Sequence, residues 1–319
     1  MDTDAAKGKE SHGFVESKAV TTSRPMIFAL IESMRPRQWT KNLIIFAGVI
    51  FAQKLSDPPA LGLAVAAFAL FCLLSSAGYL INDTLDAEAD RLHPIKRFRP
   101  IASGQLKSSA AVTAAALLII ASIGVAFRIN LGLGVMALAY FLLGQLYSFA
   151  IKHIVILDVM SVAIGFVIRA AAGAEAIRVP ISPWLLLCTL MLALFLALTK
   201  RRHELTLLEN GAANHRPILA EYSPYLLDQM IGVVTASTLV CYSLYTLWPE
   251  TVAKFGTHNL ALTIPSVLFG IFRYLYLVHQ RGGGGRPERI LVGDVPFIIN
   301  MLIWLGIVVG VLYGPESFK

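Results

Sequence analysis

Residues 60–90 read ALGLAVAAFALFCLLSSAGYLINDTLDAEAD, and this stretch decides the fold. Its first part, Ala60–Ile81, carries no charged side chain. About 20 predominantly apolar residues are enough for an α-helix to cross the hydrocarbon core of a bilayer. Aspartates follow directly after this apolar part. The stretch therefore predicts a membrane-spanning helix with an acidic motif at one end.

The rest of the chain repeats the apolar part of this pattern. Of its 319 residues, 56% are hydrophobic and 15% are charged, against roughly 45–50% and about 25% in soluble domains, and the mean hydropathy is +0.67. This composition excludes a disordered chain, a disulfide scaffold and a nuclear factor. We predict an all-α polytopic membrane protein. The nine candidate spans are residues 42–56, 60–82, 108–127, 131–150, 155–176, 182–199, 225–247, 259–279 and 295–313.

The distribution of lysine and arginine predicts the topology. With a cytoplasmic N-terminus, 20 of the 27 cations lie on the cytoplasmic side and five on the other, while Arg169 and Arg273 stay in or beside spans. Because loops rich in Lys and Arg remain in the cytoplasm, we predict this orientation, and nine spans then place the C-terminus outside. The net charge of +7 thus reflects topology, and no nucleic-acid partner is expected.

The polar segments predict how the chain is organised. Residues 1–27 lack the apolar core of a signal peptide, so we expect a polar cytoplasmic tail before a single membrane domain at 28–319. The inner loops 83–107 and 200–224 are long and rich in ionisable groups, and loops positioned by a rigid scaffold commonly carry function. We therefore expect the catalytic face in the cytoplasm. The three cysteines lie in apolar runs and are interpreted as core residues: Cys72, Cys188 and Cys241.

The acidic motif is expected to continue the helix without a break. At 100° per residue, four of its side chains then fall within one arc of about 100°: Asn82, Asp83, Asp86 and Asp90. Carboxylates crowded together repel each other unless a cation neutralises them. Oxygen ligands without His or Cys favour Mg²⁺, which also takes phosphate oxygens. The motif predicts an Mg²⁺ site for a diphosphate substrate, and a solvated helix end is the alternative.

A basic segment follows these acids. Pro94 and Pro100 stiffen it, and Lys96, Arg97 and Arg99 lie between or beside them. Metal-bound acids followed by cations suit a leaving diphosphate group. Topology alone would explain the side on which these cations lie, but not the acids next to them.

The motif NDTLDAEAD resembles the first signature of the UbiA superfamily of intramembrane transferases, which implies nine helices around a central cavity. Further stretches resemble the branch that transfers a phosphoribosyl group to a polyprenyl phosphate. They are RPRQWTKN at 35–42, DRLHPIKRFRPIASG at 90–104, YSFAIKHIVILDVMSVAIGFVIRAAAG at 147–173 and KRRHEL at 200–205. This resemblance covers the chain after about residue 28.

The chain departs from the typical prenyltransferases of that superfamily after span six. A second Asp-rich motif is expected there, but the sequence is basic, beginning with Lys200 and Arg201. An acidic and a basic loop together suit a substrate with a diphosphate and a further phosphate, such as phosphoribosyl diphosphate. The expected donor contacts are Lys41, Lys96, Arg99, Tyr147, Lys152, Lys200, Arg201, Arg216 and Tyr222. For Lys41, beside Trp39, interfacial anchoring is an equal alternative.

Ionisable residues inside spans are further candidates. Arg169 is costly at bilayer depth unless it faces the bundle interior. Asp158 lies eleven residues earlier on nearly the same helix face, and we expect it to orient the ribose or assist at the reacting carbon. Lys152 or Arg169 is expected to bind the acceptor phosphate. The alternative is that Asp158 and Arg169 pair structurally with other helices.

The expected reaction follows from the resemblance. Mg²⁺ at the motif, with Asp83, Asp86, Asp90 and Asp158 as catalytic residues, would promote transfer of 5-phosphoribosyl from phosphoribosyl diphosphate to decaprenyl phosphate. The product would serve a lipid-linked arabinose donor for cell-wall arabinan, made at the plasma membrane. The alternatives are a prenyltransferase that uses a prenyl diphosphate and a lipid transporter. A homo-oligomer, such as a trimer, is left open.

Overall fold

The structure is a computed structural model that describes residues 25–209, 217–280 and 293–314. These residues are helical and contain no strand, which confirms the all-α prediction. Residues 1–24 of the predicted tail and Arg216 lie outside the described residues. The α-helices are α1 Met26–Met34, α2 Ala47–Phe51, α3 Pro58–Leu85, α4 Ala87–Leu92, α5 Ser108–Ile129, α6 Leu131–Phe149, α7 Leu157–Ala176, α8 Pro183–Glu209, α9 Pro224–Leu247, α10 Pro249–Phe255, α11 Ile264–Gln280 and α12 Val295–Tyr313.

Within the described ranges, eight helical segments are long and apolar enough to cross a membrane, and they correspond to the second to ninth predicted spans. Their outward faces carry large apolar side chains, such as Leu117 and Ile120 on α5, which suit contact with lipid rather than water. The eight segments are Pro58–Leu85, Ser108–Ile129, Leu131–Phe149, Leu157–Ala176, Pro183–Thr206, Pro224–Leu247, Asn259–Gln280 and Val295–Tyr313.

The first predicted span, 42–56, is not one of these eight. The chain there forms a 3₁₀ helix, Pro36–Phe46, followed by the short α2. This segment is nevertheless packed tightly against α7, because a Cβ atom on Gly173 would lie only 1.9 Å from the carbonyl oxygen of Ile45. Only glycine permits so close an approach of two backbones. The count of nine spans and the orientation of the N-terminus stay predictions.

Helix α3 begins and ends with distinct polar groups. The Asp57 side chain accepts a hydrogen bond from the Ala60 amide, and proline at the first helical position suits the helix start. The helix ends at Leu85, and Asp86 adopts φ −86° and ψ 1° before α4 begins. The prediction that one helix continues through Asp90 is therefore wrong. Directly after the break, Ala87 is buried in a cluster formed by α1, α3, α5 and the following loop, and this packing holds α4 in place.

Helix α8 also differs from the prediction. The segment 200–224 was expected to be a loop, but α8 continues to Glu209, and a 3₁₀ helix, Pro217–Glu221, precedes α9. The basic residues that follow the sixth span therefore lie on a helix. As a result, their spacing along the helix brings them next to acidic side chains.

Candidate active site

Two buried carboxylates meet a guanidinium group where α3 ends. Asp83 and Asp90 are 4% and 2% exposed. One nitrogen of Arg99, Nη1, donates to Asp83 Oδ1 at 3.1 Å and to Asp90 Oδ2 at 2.6 Å. Lys96 Nζ lies 3.8 Å from Asp90 Oδ1. Charge-assisted hydrogen bonds of this kind are the strong ones, so the acidic and basic parts of the sequence form one cluster.

Arg35 completes this cluster, and the sequence reasoning did not assign it to the site. Its Nη2 donates to Asp83 Oδ1 at 2.6 Å, and its guanidinium lies 4.7 Å from the centre of the Tyr79 ring. Arg35 has a left-handed backbone, with φ 55°, between α1 and the 3₁₀ helix. That unusual turn directs the chain toward α3. Because its partner lies 48 residues away, no local sequence pattern signals this contact.

The predicted metal ligands are gathered only in part. Asp83 and Asp90 converge, whereas Asp86 is exposed at the turn after α3 and Asn82 is half-buried. Among the described residues, no three His, Cys, Asp or Glu side chains are grouped as a metal site. Mg²⁺ takes only one or two carboxylates when phosphate oxygens supply other ligands. The two buried carboxylates, which already surround a cationic nitrogen, therefore fit a divalent cation with a phosphate ligand.

A cavity of about 300 Å³ lies beside this cluster. Its lining combines two arginines, two acids, one serine and apolar side chains, so a few polar groups converge in a partly apolar cavity, as is usual for a ligand site. The lining residues are Glu32, Ser33, Arg35, Asp83, Ile95, Phe98, Arg99 and Pro100.

A second cluster surrounds Asp158, which is fully buried at the start of α7. Arg201 Nε donates to Asp158 Oδ2 at 2.7 Å, and the Tyr222 hydroxyl donates to Oδ1 at 2.8 Å. A further nitrogen of Arg201 lies 3.4 Å from the Tyr147 hydroxyl. Burial raises the pKa of Tyr222 to about 12, so its hydroxyl stays a donor at neutral pH. Four predicted site residues are thus brought together from three helices, α6, α7 and α8, and from the turn that precedes α9.

The cations of α8 have acidic partners, and this corrects the expectation of a free basic loop. Arg201 Nη1 contacts Glu204 at 2.7 Å in addition to Asp158, and Lys200 Nζ lies 3.9 Å from Glu204. Arg202 Nε lies 3.0 Å from Asp228 of α9. The spacings from 200 and 201 to 204 are typical helical ion pairs, so a helix prediction through 204 would have revealed them.

Arg169 lies in a third, deeper environment. Its Nε donates to Asn42 Oδ1 and its Nη2 to the Tyr140 hydroxyl, both at 2.7 Å. Its guanidinium also faces the Tyr140 and Phe166 rings at 4.5 and 5.0 Å. Within the described part of the chain it has no carboxylate partner. Arg169 thus pairs with the first 3₁₀ helix and with α6, which is the structural alternative named above. The sequence did not identify Asn42 and Tyr140 as its partners.

Lys152 and Arg169, the two expected contacts of the acceptor phosphate, lie on different elements of the chain. Eleven residues of α7 separate Asp158 from Arg169, a rise of roughly 16 Å. Lys152 is half-buried in the turn Ile151–His153, on the far side of Asp158. This turn contacts the 3₁₀ helix that precedes Tyr222, so Lys152 lies near the second cluster. Lys41 is half-buried in the first 3₁₀ helix.

Residues 42–313 match the UbiA prenyltransferase family. The chain is 34% identical over 298 residues to a decaprenyl-phosphate phosphoribosyltransferase of Mycolicibacterium smegmatis, covering 90% of this chain and 93% of the relative. It is 33% identical over 297 residues to a protein of the same name from Corynebacterium glutamicum, covering 91% of this chain and 88% of the relative.

Solved structures share the fold. A UbiA homolog from Archaeoglobus fulgidus bound to DMAPP and Mg²⁺ has a TM-score of 0.67 at 17% identity, covering 89% of this chain and 99% of that one. A structure of a digeranylgeranylglyceryl phosphate synthase has a TM-score of 0.62 at 19% identity, covering 91% and 99%. These likenesses show the fold of the whole helical bundle.

Proposed function

The chain belongs to the UbiA prenyltransferase family of membrane transferases, and we propose that it transfers 5-phosphoribosyl from phosphoribosyl diphosphate to decaprenyl phosphate, releasing diphosphate. The names of its relatives support these substrates. The observation that carries the site is that Asp83 and Asp90 converge with Arg99 beside a cavity at the end of α3. This arrangement suits an anionic donor that arrives with a divalent cation.

In this proposal Asp83 and Asp90 hold Mg²⁺, with Asn82 and Asp86 at the same helix end. Bound Mg²⁺ would neutralise the diphosphate and stabilise its departure. Arg99 contacts both carboxylates in the structure, and on donor binding its guanidinium would turn to the diphosphate oxygens. Such groups stabilise the charge that accumulates on the leaving group.

The transfer itself exchanges one bond for another at the ribose. The bond from C1 to the diphosphate oxygen breaks, and a phosphate oxygen of the acceptor forms the new bond to C1. A phosphate monoester is largely ionised at pH 7, so no strong base is needed. Lys152 binds the acceptor phosphate in this proposal, since Arg169 lies much deeper.

The second cluster acts as a positioning unit in this proposal. Asp158 fixes Arg201 and Tyr222, and through them Tyr147, at the side of the site near Lys152. Lys41, Lys96 and Lys200 are proposed to contact the donor from the rim. Arg216 is retained as a proposed donor contact, although it lies outside the described residues.

We further propose that the active face lies in the cytoplasm of a cell whose plasma membrane holds the protein. The lipid-linked product would be a precursor of an arabinose donor for cell-wall arabinan. Prenyl transfer is the alternative, since a structural neighbour was solved with DMAPP and Mg²⁺. A transporter is not favoured, because the family consists of transferases.

One experiment distinguishes the two transfer reactions. The purified protein in lipid nanodiscs is incubated with Mg²⁺ and decaprenyl phosphate, and with either ribose-labelled phosphoribosyl diphosphate or labelled dimethylallyl diphosphate. We expect lipid-extractable label from the first donor only. Label from the prenyl donor alone would favour prenyl transfer, and no label from either donor with folded protein would contradict the proposal. Chelation of Mg²⁺ with EDTA should abolish the signal and added Mg²⁺ should restore it.

A further inference from the structure

The stretch from the end of α4 to the start of α5 exposes three large apolar side chains, two of which, Ile95 and Phe98, also line the rim of the cavity beside Asp83. Leu92, Ile95 and Phe98 are 90%, 75% and 66% exposed. They are spaced three residues apart, and the guanidinium of Arg97 lies 4.8 Å from the centre of the Phe98 ring. We call Leu92, Ile95 and Phe98 the apolar ridge.

The ridge belongs to an ordered segment, because the residues that follow it are anchored. Ile101 and Leu106 are buried in a cluster with side chains of α1, α3 and α5. Arg91 Nε donates to the Ala102 carbonyl at 3.2 Å, which closes the segment on itself. The segment is therefore held on the bundle by its buried residues, and the exposure of the ridge is a feature of an anchored segment.

Cations outnumber acids around the ridge, since Asp90 and Asp83 pair with Lys96 and Arg99 while Arg91, Arg97 and Lys107 are exposed. Residues 91–107 contain five Lys and Arg side chains and no Asp or Glu. Exposed aromatic and aliphatic side chains among cations are typical of segments that lie in a membrane interface. Each Lys or Arg close to an anionic lipid surface adds to the attraction.

The membrane-spanning helices on either side keep the ridge close to the bilayer. The apolar part of α3 ends at Ile81, α4 has only six residues, and α5 begins at Ser108. Ile101 and Leu106, which follow the ridge, pack with Ala77 and Leu80 near the end of α3 and with Ala111 and Ala115 near the start of α5. The ridge is therefore within reach of the lipid surface that α3 and α5 enter.

We propose that the apolar ridge docks on an anionic lipid surface. Leu92, Ile95 and Phe98 insert at the boundary of headgroups and acyl chains, and the exposed cations Arg91, Arg97 and Lys107 contact anionic headgroups. This contact covers apolar surface that would otherwise face water. It also fixes the height of Lys96 and Arg99, which belong to the same segment, relative to the bilayer.

Site-directed spin labelling in nanodiscs tests this docking. The native cysteines lie within membrane-spanning helices and are replaced by alanine, and single cysteines are introduced as Leu92→Cys, Ile95→Cys and Phe98→Cys. Ser103→Cys and Gln105→Cys are matched controls, because both are exposed polar positions of the same segment. Collision rates of each label with oxygen, which concentrates in lipid, and with a water-soluble nickel chelate are compared in phosphatidylglycerol and in phosphatidylcholine.

We expect a several-fold higher oxygen-to-nickel ratio at the three ridge positions than at the controls in phosphatidylglycerol, with a smaller difference in phosphatidylcholine. Equal ratios at ridge and control positions in both lipids would overturn the proposal. Dipolar broadening between labels of two copies would also overturn it, because a second copy would then cover the ridge. Hydrogen exchange of the unmodified protein is an independent measurement: slower exchange at 92–98 is expected in the anionic lipid, and equal exchange would contradict docking.

Discussion

The clusters around Asp83 and around Asp158 use the same chemistry in different settings. Both pair a buried carboxylate with arginine, at 2.6 and 2.7 Å. The Asp83 cluster lies beside a cavity, and its arginines Arg35 and Arg99 are partly exposed. At the other cluster, Asp158 and Arg201 are both buried. A partly exposed pair can exchange its partner for a ligand, whereas a sealed pair serves mainly to hold the structure.

Asp158→Asn should produce the largest effect on stability. Removing one member of a buried ion pair typically costs about 3–5 kcal/mol, and we expect a loss toward the lower end of that range because Arg201 keeps its contact with the more exposed Glu204. Thermal unfolding in detergent would measure the loss. The control is Glu204→Gln, which removes a more exposed partner of the same arginine. A variant as stable as the parent protein would show that Asp158 does not serve to hold the fold.

Asp90→Asn should reduce turnover by about 100-fold or more, the range seen when an electrostatic contact to developing charge is lost. It should also raise the Mg²⁺ concentration needed for half-maximal rate. Glu88→Gln is the matched control, because Glu88 is an exposed acid of the same short helix. An unchanged Mg²⁺ dependence of the Asp90 variant would show that Asp90 does not bind the metal. The Asp83 cluster would then differ less from the structural Asp158 cluster.

Tyr222→Phe should lower stability by about 1–2 kcal/mol, because it deletes the hydroxyl that donates to Asp158 and accepts from the Ile156 amide. The pKa of Tyr222 is raised to about 12 from an ordinary value of 10.0. Its stabilising contribution is therefore complete below about pH 10 and is lost as the pH rises through about 12. When the free energy of unfolding is measured between pH 6 and 12, the values of the parent protein and of Tyr222→Phe should become equal only at the alkaline end.

Arg169→Met should have the smallest effect on stability, within about 1 kcal/mol. A buried cation replaced by an apolar side chain of similar length loses its hydrogen bonds but also its desolvation penalty. Combining it with Asn42→Leu should bring stability back toward that of the parent protein. A loss of stability well above 1 kcal/mol in Arg169→Met would show that the hydrogen bond from Arg169 to Asn42 is needed to stabilise the bundle. The Arg169 site would then resemble the Asp158 cluster.

Many residues of the site could be predicted from their types, but the partner of each charged side chain could not. The acids after α3 and the cations at 96 and 99 are adjacent in sequence, so their association was predictable. The partners of Arg35 and Arg201 lie 48 and 43 residues away, and one sequence holds no signal for such distances. The ion pairs within α8 were missed because helix 183–209 was expected to end near 199.

An all-helical membrane protein with an acidic motif at the end of its second predicted span can be inferred from the residues in order. That is because apolar run length and the local spacing of charges are properties of the chain alone. The folded chain was needed to show that α3 breaks at Asp86, that Asp83 and Asp90 share Arg99, and that Asp158 is enclosed by Arg201 and Tyr222. These contacts depend on which helices pack together, because a buried charge needs a partner and packing determines which side chains are close enough to supply it.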